Sequence, residues 1–435
     1  MLNILDLRGA TGDLVSLLPR PAVAVEQPID AVRAIIAEVR AGGDAAVRAC
    51  TARFDGASID ELRVPVTELR RALDAVAPEL RRALEVARDN IEAYHLTQVG
   101  TEVVHRRDGI EVRDLHRAVD RAGLYVPGGR AAYPSTVLMT AVPAKVAGVA
   151  ELVLCVPPDR EGRVPDVVLA AACLAGVDEV YRVGGAQAIA AMAYGTESIK
   201  AVDVIVGPGN IYVAVAKREV AGVVGIPSSF AGPSEVVVIA DATTPVDFAA
   251  IDLVVQAEHG PNGLAWLVTW DEAVADAVSR AVTRLVEASP RRGDIESTLA
   301  EGGYAVICDN PEQAIAVANA IAPEHLELLS ADPEALLPLV RHAGAVFCGP
   351  WSPASIGDYL AGPNHVLPTF GSARFSGALR VDDFVKHVHV VTLDEDGLRR
   401  AAPHVAVLAA AEGLVAHGDS VRVRTAALAA LDPQR

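Results

Sequence analysis

The sequence predicts an α/β protein, with two parallel-sheet units preceded by a helical region and followed by a small helical appendage. Two observations carry this reading. From about residue 104, short β-rich apolar runs alternate with Ala-rich helical patterns, and the alternation comes in two series of similar length on either side of the turn GPSE (232–235). Strand–helix–strand at this pitch implies right-handed crossovers and parallel pairing. A chain of 435 residues is also long enough for more than one core.

Taken in order, residues 1–103 read as charged and helical. Apolar residues recur at three- and four-residue spacing over 31–41, 67–77 and 78–95, and Pro78 suits a first helical turn. The first series, within 104–234, has strands over 152–156, 179–183 and 202–206. Helices lie between them over 166–175, which Gly176 ends, and over 186–194. The second, within 235–375, has strands over 235–241, 265–269, 304–308 and 345–348, with helices over 245–259, 271–288 and 311–320. The segment 376–435 carries a β-like run, KHVHVVTL, and then helical patterns from 398 to about 431.

Composition excludes several functions. With 56 acidic against 38 basic residues the net charge is −18, and no basic block occurs, which argues against binding nucleic acid or an anionic membrane surface. No apolar stretch reaches the ~18 residues of a membrane span, and the start MLNILDLRGATGD lacks the pattern of a secretory signal. Cys50, Cys155, Cys173, Cys308 and Cys348 are odd in number, widely spaced and without a CxxC pair. They read as free thiols of a cytoplasmic protein.

Three glycine-rich turns follow predicted strands: VPGG (126–129), VGGAQ (183–187) and VGPGN (206–210). Glycine there admits positive φ and a close ligand, and the next helix start favours an anion. None completes a GxGxxG, so a dinucleotide would bind in a non-standard manner, with Tyr125, Gln187 and Asn210 beside the turns. The alternative is three structural turns.

The C-terminal half scatters residues suited to metal binding and proton transfer. Gln256 and His259 are three apart at a helix end, where one face could hold a cation or simply form a polar terminus. Glu324 and His325 follow Pro323 and are expected on a first helical turn, whose positive potential would keep both unprotonated as a pair of bases. The bland reading is an acidic helix start with an incidental histidine. Asp358 and His365 flank a loop broken by glycine and proline. Glu412 and His417 are five apart on the appendage. His95, His105, His116, His342, His387, His389 and His404 are assigned no role.

At these residues the chain resembles the histidinol dehydrogenase family. The resemblance runs through LYVPGGRAAYPSTVLM, VGGAQAIAA, GPGN, AGPSE, QAEHG, APEHLEL, GDYLAGPNHVLPT and EGLVAH, in the family's order, over roughly residues 20 to 420. It implies two incomplete Rossmann-like domains in an intertwined homodimer. It also implies oxidation of L-histidinol to L-histidine through the aldehyde, with two NAD+ and one zinc ion per site. The matching zinc ligands are Gln256, His259, Asp358 and His417, and zinc there positions the substrate. His325 matches the base for the alcohol proton and Glu324 the base that activates water. Ser234, His365 and Glu412 match substrate contacts, as the zinc ligands and His325 also do. Tyr125, Gln187 and Asn210 match NAD contacts. The resemblance further implies that the partner's C-terminal segment completes each site. The stretches GVVGIPSSF and KHVHVV depart from the commonest family form without altering a functional position. Two other classes of function stay open on the residues alone. One is a metal-dependent hydrolase or lyase using the Glu-His pair without NAD, which the glycine turns disfavour. The other is a metal-binding protein without catalysis, for which a Glu-His base pair has no use.

Overall fold

The structure is a computed structural model that describes residues 2–19, 28–129, 131–228, 234–258 and 263–431. The chain forms two compact units, Met1–Gln98 with Val119–Phe384, and Val99–Ala118 with Val385–Arg435. Among the described residues the strands are β1 (Asn3–Asp6), β2 (Arg63–Val64), β3 (Val103–Arg107), β4 (Ile110–Ala118), β5 (Arg121–Tyr125), β6 (Glu151–Cys155), β7 (Glu179–Tyr181), β8 (Val204–Val206), β9 (Glu235–Ala240), β10 (Leu264–Thr269), β11 (Gly303–Ile307), β12 (His325–Leu328), β13 (Ala345–Cys348) and β14 (Val385–Leu393).

The first unit holds two sheets. One runs β2-β7-β6-β5-β8 and is parallel except for the short β2. The strand order turns back between β5 and β8, the kind of position where open α/β sheets leave a ligand crevice. The other runs β1-β11-β10-β9-β12-β13 and is parallel throughout, with its turning point between β9 and β12.

Burial explains why these runs become strands. Every residue of EVVVIA (β9) and LAWLVT (β10) is buried, so they read as unbroken apolar runs rather than alternating ones. Val236, Val238 and Leu267 pack on one face of that sheet, and Val237, Ile239 and Trp266 on the other. Each fully buried aliphatic side chain contributes roughly 1.5–3 kcal/mol, which is ample reason to cover both faces with helices. Local signals set the helix starts. Asp271 Oδ1 accepts from Ala273 N at 2.8 Å, and Asn310 Oδ1 from Gln313 N at 2.9 Å ahead of Pro311.

The N-terminal helix Ile29–Phe54 buries Val32, Ile35, Ile36, Val39, Val47 and Cys50 against the first sheet. It kinks at Gly43, whose φ is +53°, and the Glu197 carboxylate caps Asp44 N there at 2.7 Å. The five cysteines are free thiols, with Cys50, Cys155 and Cys308 buried.

The second unit contains the three-stranded antiparallel sheet β14-β4-β3 and the helices Glu395–Ala411 and Val415–Leu431. No helix among the described residues is long and apolar enough to cross a membrane.

Candidate active site

Glu324 and His325 do not start a helix. The helix Pro311–Ile321 ends at Ala322 in the left-handed region (φ +55°), and the chain then enters β12 at His325, between β9 and β13. The apolar residues of HLEL alternate with a period of two, which is a strand pattern. The expectation of a positive helix terminus at this pair is therefore corrected.

Five separate segments meet around the pair. The Ser234 hydroxyl donates to Glu324 Oε2 and lies 3.3 Å from Gln256 Oε1. Glu235 N also donates to Glu324 Oε2, at 3.3 Å. His325 Nδ1 is 4.0 Å from Glu324 Oε2, and its Nε2 is 3.6 Å from Asp358 Oδ1. His365 Nδ1 is 2.8 Å from the Asp358 carbonyl, and its Nε2 is 3.2 Å from Thr136 Oγ1. A carbonyl only accepts, so Nδ1 of His365 carries the proton and Nε2 accepts from threonine. Gln256, Ser234, Glu324, His325, Asp358 and His365 thus form one continuous polar chain.

Its electrostatics follow from burial and neighbours. Burial pulls the His325 pKa down, but Glu324 and Asp358 on either side outweigh it and hold the imidazole above its ordinary value. Both ring nitrogens are buried without a hydrogen-bond partner among the described residues. For His365 burial wins, and its pKa is lowered.

This chain lies along the starting edge of the second sheet. Ser234 precedes β9, Glu324 precedes β12, and Gln256 is near the end of the helix Val246–Glu258 that leads back to that edge. Opposite lies the finishing edge of the first sheet. Gly207, Pro208 and Gly209, which follow β8, line one cavity with Glu324, His365 and Lys217. The cavity has a volume of about 100 Å³.

The other expected positions sit as follows. Tyr125 ends β5, and its hydroxyl accepts from Gly185 N at 3.1 Å. Gln187 is buried in the first turn of the helix Gly185–Tyr194, with Nε2 lacking a partner among the described residues. Asn210 caps the helix Ile211–Val220, accepting from Tyr212 N at 3.0 Å and Val213 N at 3.2 Å. His259 lies outside the described residues. Glu412 and His417 belong to the second unit, exposed on either side of a break at Gly413 (φ +72°).

Sequence reasoning missed Thr136, Lys217 and Glu327. Lys217 is buried, bonds the Gly207 carbonyl, and is lowered to about 8 by burial. Its signal was available: it falls four residues after Val213 on the apolar side of its helix. Glu327 is fully buried on the same face of β12 as His325 and accepts from Ala354 N at 2.9 Å. Burial, then the neighbouring Asp252 carboxyl, pushes it up to about 9. The folded state therefore keeps a proton that the unfolded chain releases near 4.5, so stability falls as pH rises from there towards 9. Glu327→Gln preserves the neutral shape and is expected to flatten this slope, read from urea midpoints at about pH 6 and about pH 8.5. An unchanged slope would contradict a protonated Glu327.

Parallel sheets, a cavity between their edges and a buried Glu-His pair put the protein in the class of α/β proteins with a buried acid–base site. Comparison with known proteins narrows the class. A family model described as Histidinol dehydrogenase matches residues 18–425. The histidinol dehydrogenase of Parasynechococcus marenigrum is 49% identical over 423 residues, covering 96% of each chain. That of Pseudomonas aeruginosa is 50% identical over 394 residues, covering 90% of this chain and 89% of its own. The crystal structure of histidinol dehydrogenase from Elizabethkingia anophelis matches with a TM-score of 0.94 at 35% identity, over 98% of both chains. The chain belongs to the histidinol dehydrogenase family.

Proposed function

We propose that the protein oxidises L-histidinol to L-histidine through L-histidinaldehyde, with zinc and two NAD+, as a cytoplasmic homodimer catalysing the last steps of histidine biosynthesis. The observation that carries this reading is the continuous polar chain from Gln256 to His365 beside the 207–209 turn. A hydrolase would not need that turn.

The described residues fit a cation. Ser234 has one hydrogen and gives it to Glu324, so Gln256 Oε1 gains nothing from the hydroxyl, while Gln256 Nε2 is buried without a partner among the described residues. With the amide turned over, Nε2 donates to Ser234 Oγ and Oε1 is freed as a hard ligand. Gln256, His259 and Asp358 would hold zinc together with His417. The exposure of Glu412 and His417 in their own unit supports their acting in the partner's site. When bound, zinc would hold the substrate's ring and amino nitrogens, and each NAD+ would accept one hydride.

The protein's own residues handle the protons. His325 takes the alcohol proton on a ring nitrogen, since neither is committed to another group among the described residues. Glu324 has Oε2 fixed by Ser234 and Glu235 N, which leaves Oε1 to take a proton from the water that adds to the aldehyde. Ser234, His365 and Glu412 line the substrate. Gln187 offers NAD an Nε2 that has no partner among the described residues, and Tyr125 and Asn210 hold the turns that would cradle it.

Spectroscopic titration of NAD+ with limiting histidinol tests the reading, and two NADH per substrate are expected. One NADH would remove the four-electron reaction, and none would remove the dehydrogenase. A chelator is expected to abolish histidinol binding in calorimetry while circular dichroism stays native. Normal binding by the stripped protein would refute the positioning role of zinc.

A further inference from the structure

The second unit holds a cluster that the reaction above does not use. Strands β4 and β14 are antiparallel, with His116 directly opposite His387 and Asp114 directly opposite His389. Side chains two apart on a strand share a face, and directly opposed residues stand roughly 5 Å apart at Cβ. The register therefore gathers three imidazoles and one carboxylate into a square on one face of the sheet. Val112 and Val391, the next opposed pair, border it on the same face.

The atoms converge. One ligand atom each from Asp114, His116 and His387 lie within 4.8 Å of one another. Asp114 Oδ2 is 3.0 Å from His387 Nδ1 and 3.7 Å from His116 Nε2, and Oδ1 is 3.9 Å from His389 Nε2. The simplest alternative is a polar sheet face held by the His387–Asp114 hydrogen bond. Two features go beyond it. Asp114 Oδ1 is buried yet has no hydrogen-bond partner among the described residues, a costly state for a carboxylate oxygen. The backbone is also shaped around the His116 ring, because a Cβ at Gly100 would come within 2.8 Å of its Cε1.

We propose that Asp114, His116 and His387, with His389 as a fourth donor, form a metal site for one borderline divalent cation of the zinc type. Imidazole nitrogen with a single carboxylate is a donor set suited to such ions and poor for magnesium or calcium. The ion would join two strands that lie 266 residues apart in the sequence, between Ala118 and Val385, and so clip the second unit together. It is distinct from the catalytic zinc proposed above, since no residue is shared.

The full-length protein is dialysed to equilibrium against Zn2+, and bound metal is counted by elemental analysis beside three variants, Asp114→Asn, His387→Gln and His116→Ala/His387→Ala. Wild type is expected to retain one ion per chain more than each variant. Its melting temperature should rise with added Zn2+ by more than theirs, while NADH formation from histidinol is unchanged by the substitutions. His387 is half-exposed, and Asp114→Asn is isosteric, so these two variants report even if the double variant fails to fold. Equal metal content in wild type and in either folded single variant would overturn the proposal.

Discussion

Glu324→Gln is expected to leave oxidation of the alcohol nearly intact and to slow oxidation of the aldehyde by about 10²–10⁴-fold, the usual contribution of a general base. Glutamine keeps the length of the side chain and can still accept from Ser234 and Glu235 N, so the pocket wall survives. What disappears is the capacity to take a proton from water. Measuring NADH formation separately from histidinol and from histidinaldehyde isolates the two halves. His325→Ala should slow both, since its ring, set between two carboxylates, is the base proposed for the alcohol proton. Equal loss in both halves for the glutamate variant would refute this division of labour.

Gly207→Ala is expected to destabilise the protein by about 3 kcal/mol and to weaken NAD binding with it. Gly207 has φ +108°, and an added Cβ would sit 2.0 Å from the Tyr125 carbonyl oxygen. Backbone meets backbone there, so no side chain can turn aside. Just before this point Leu124 pairs with Val206, and relief would require β5 and β8 to part where the strand order turns back. Urea midpoints and NAD titrations of the variant measure both effects. A variant as stable and as tight-binding as the parent would show that the close approach is not needed.

How much was legible in the sequence depends on whether the information is local. The central strands β9 and β10 announce themselves as unbroken apolar runs, because both their faces are covered. Of the polar chain around Glu324, Gln256, Glu324, His325, Asp358 and His365 are legible as polar groups suited to metal binding or proton transfer, whereas Ser234 enters only through the resemblance. Distances between them were not visible, because five segments meet only after folding. The Glu324–His325 pair reads as a helix start for a related reason. Pro323 suits a helix start, but the partners β9 and β13 on either side decide in favour of a strand. The short β1, NILD, joins the second sheet beside β11, some 300 residues away, and nothing local distinguishes it. The β4–β14 register is equally remote, and so the histidines it assembles looked idle when read singly. Thr136 and Glu327 were hidden because a threonine in an apolar helix and a glutamate in a strand are both common.

The opposed edges of the two sheets carry a consequence for how this scaffold can change. The proposed chemistry draws on the finishing edge of one sheet and the starting edge of the other, so the finishing end of β9 faces away from it. The residues there, such as the exposed 242 and 243, are none of those proposed for the site. They are ground on which the lineage can lengthen, decorate or attach new modules while turnover is left undisturbed. The same freedom is denied to the start of β9 and β12, where one added residue would shift Ser234 or Glu324 out of register with its partner.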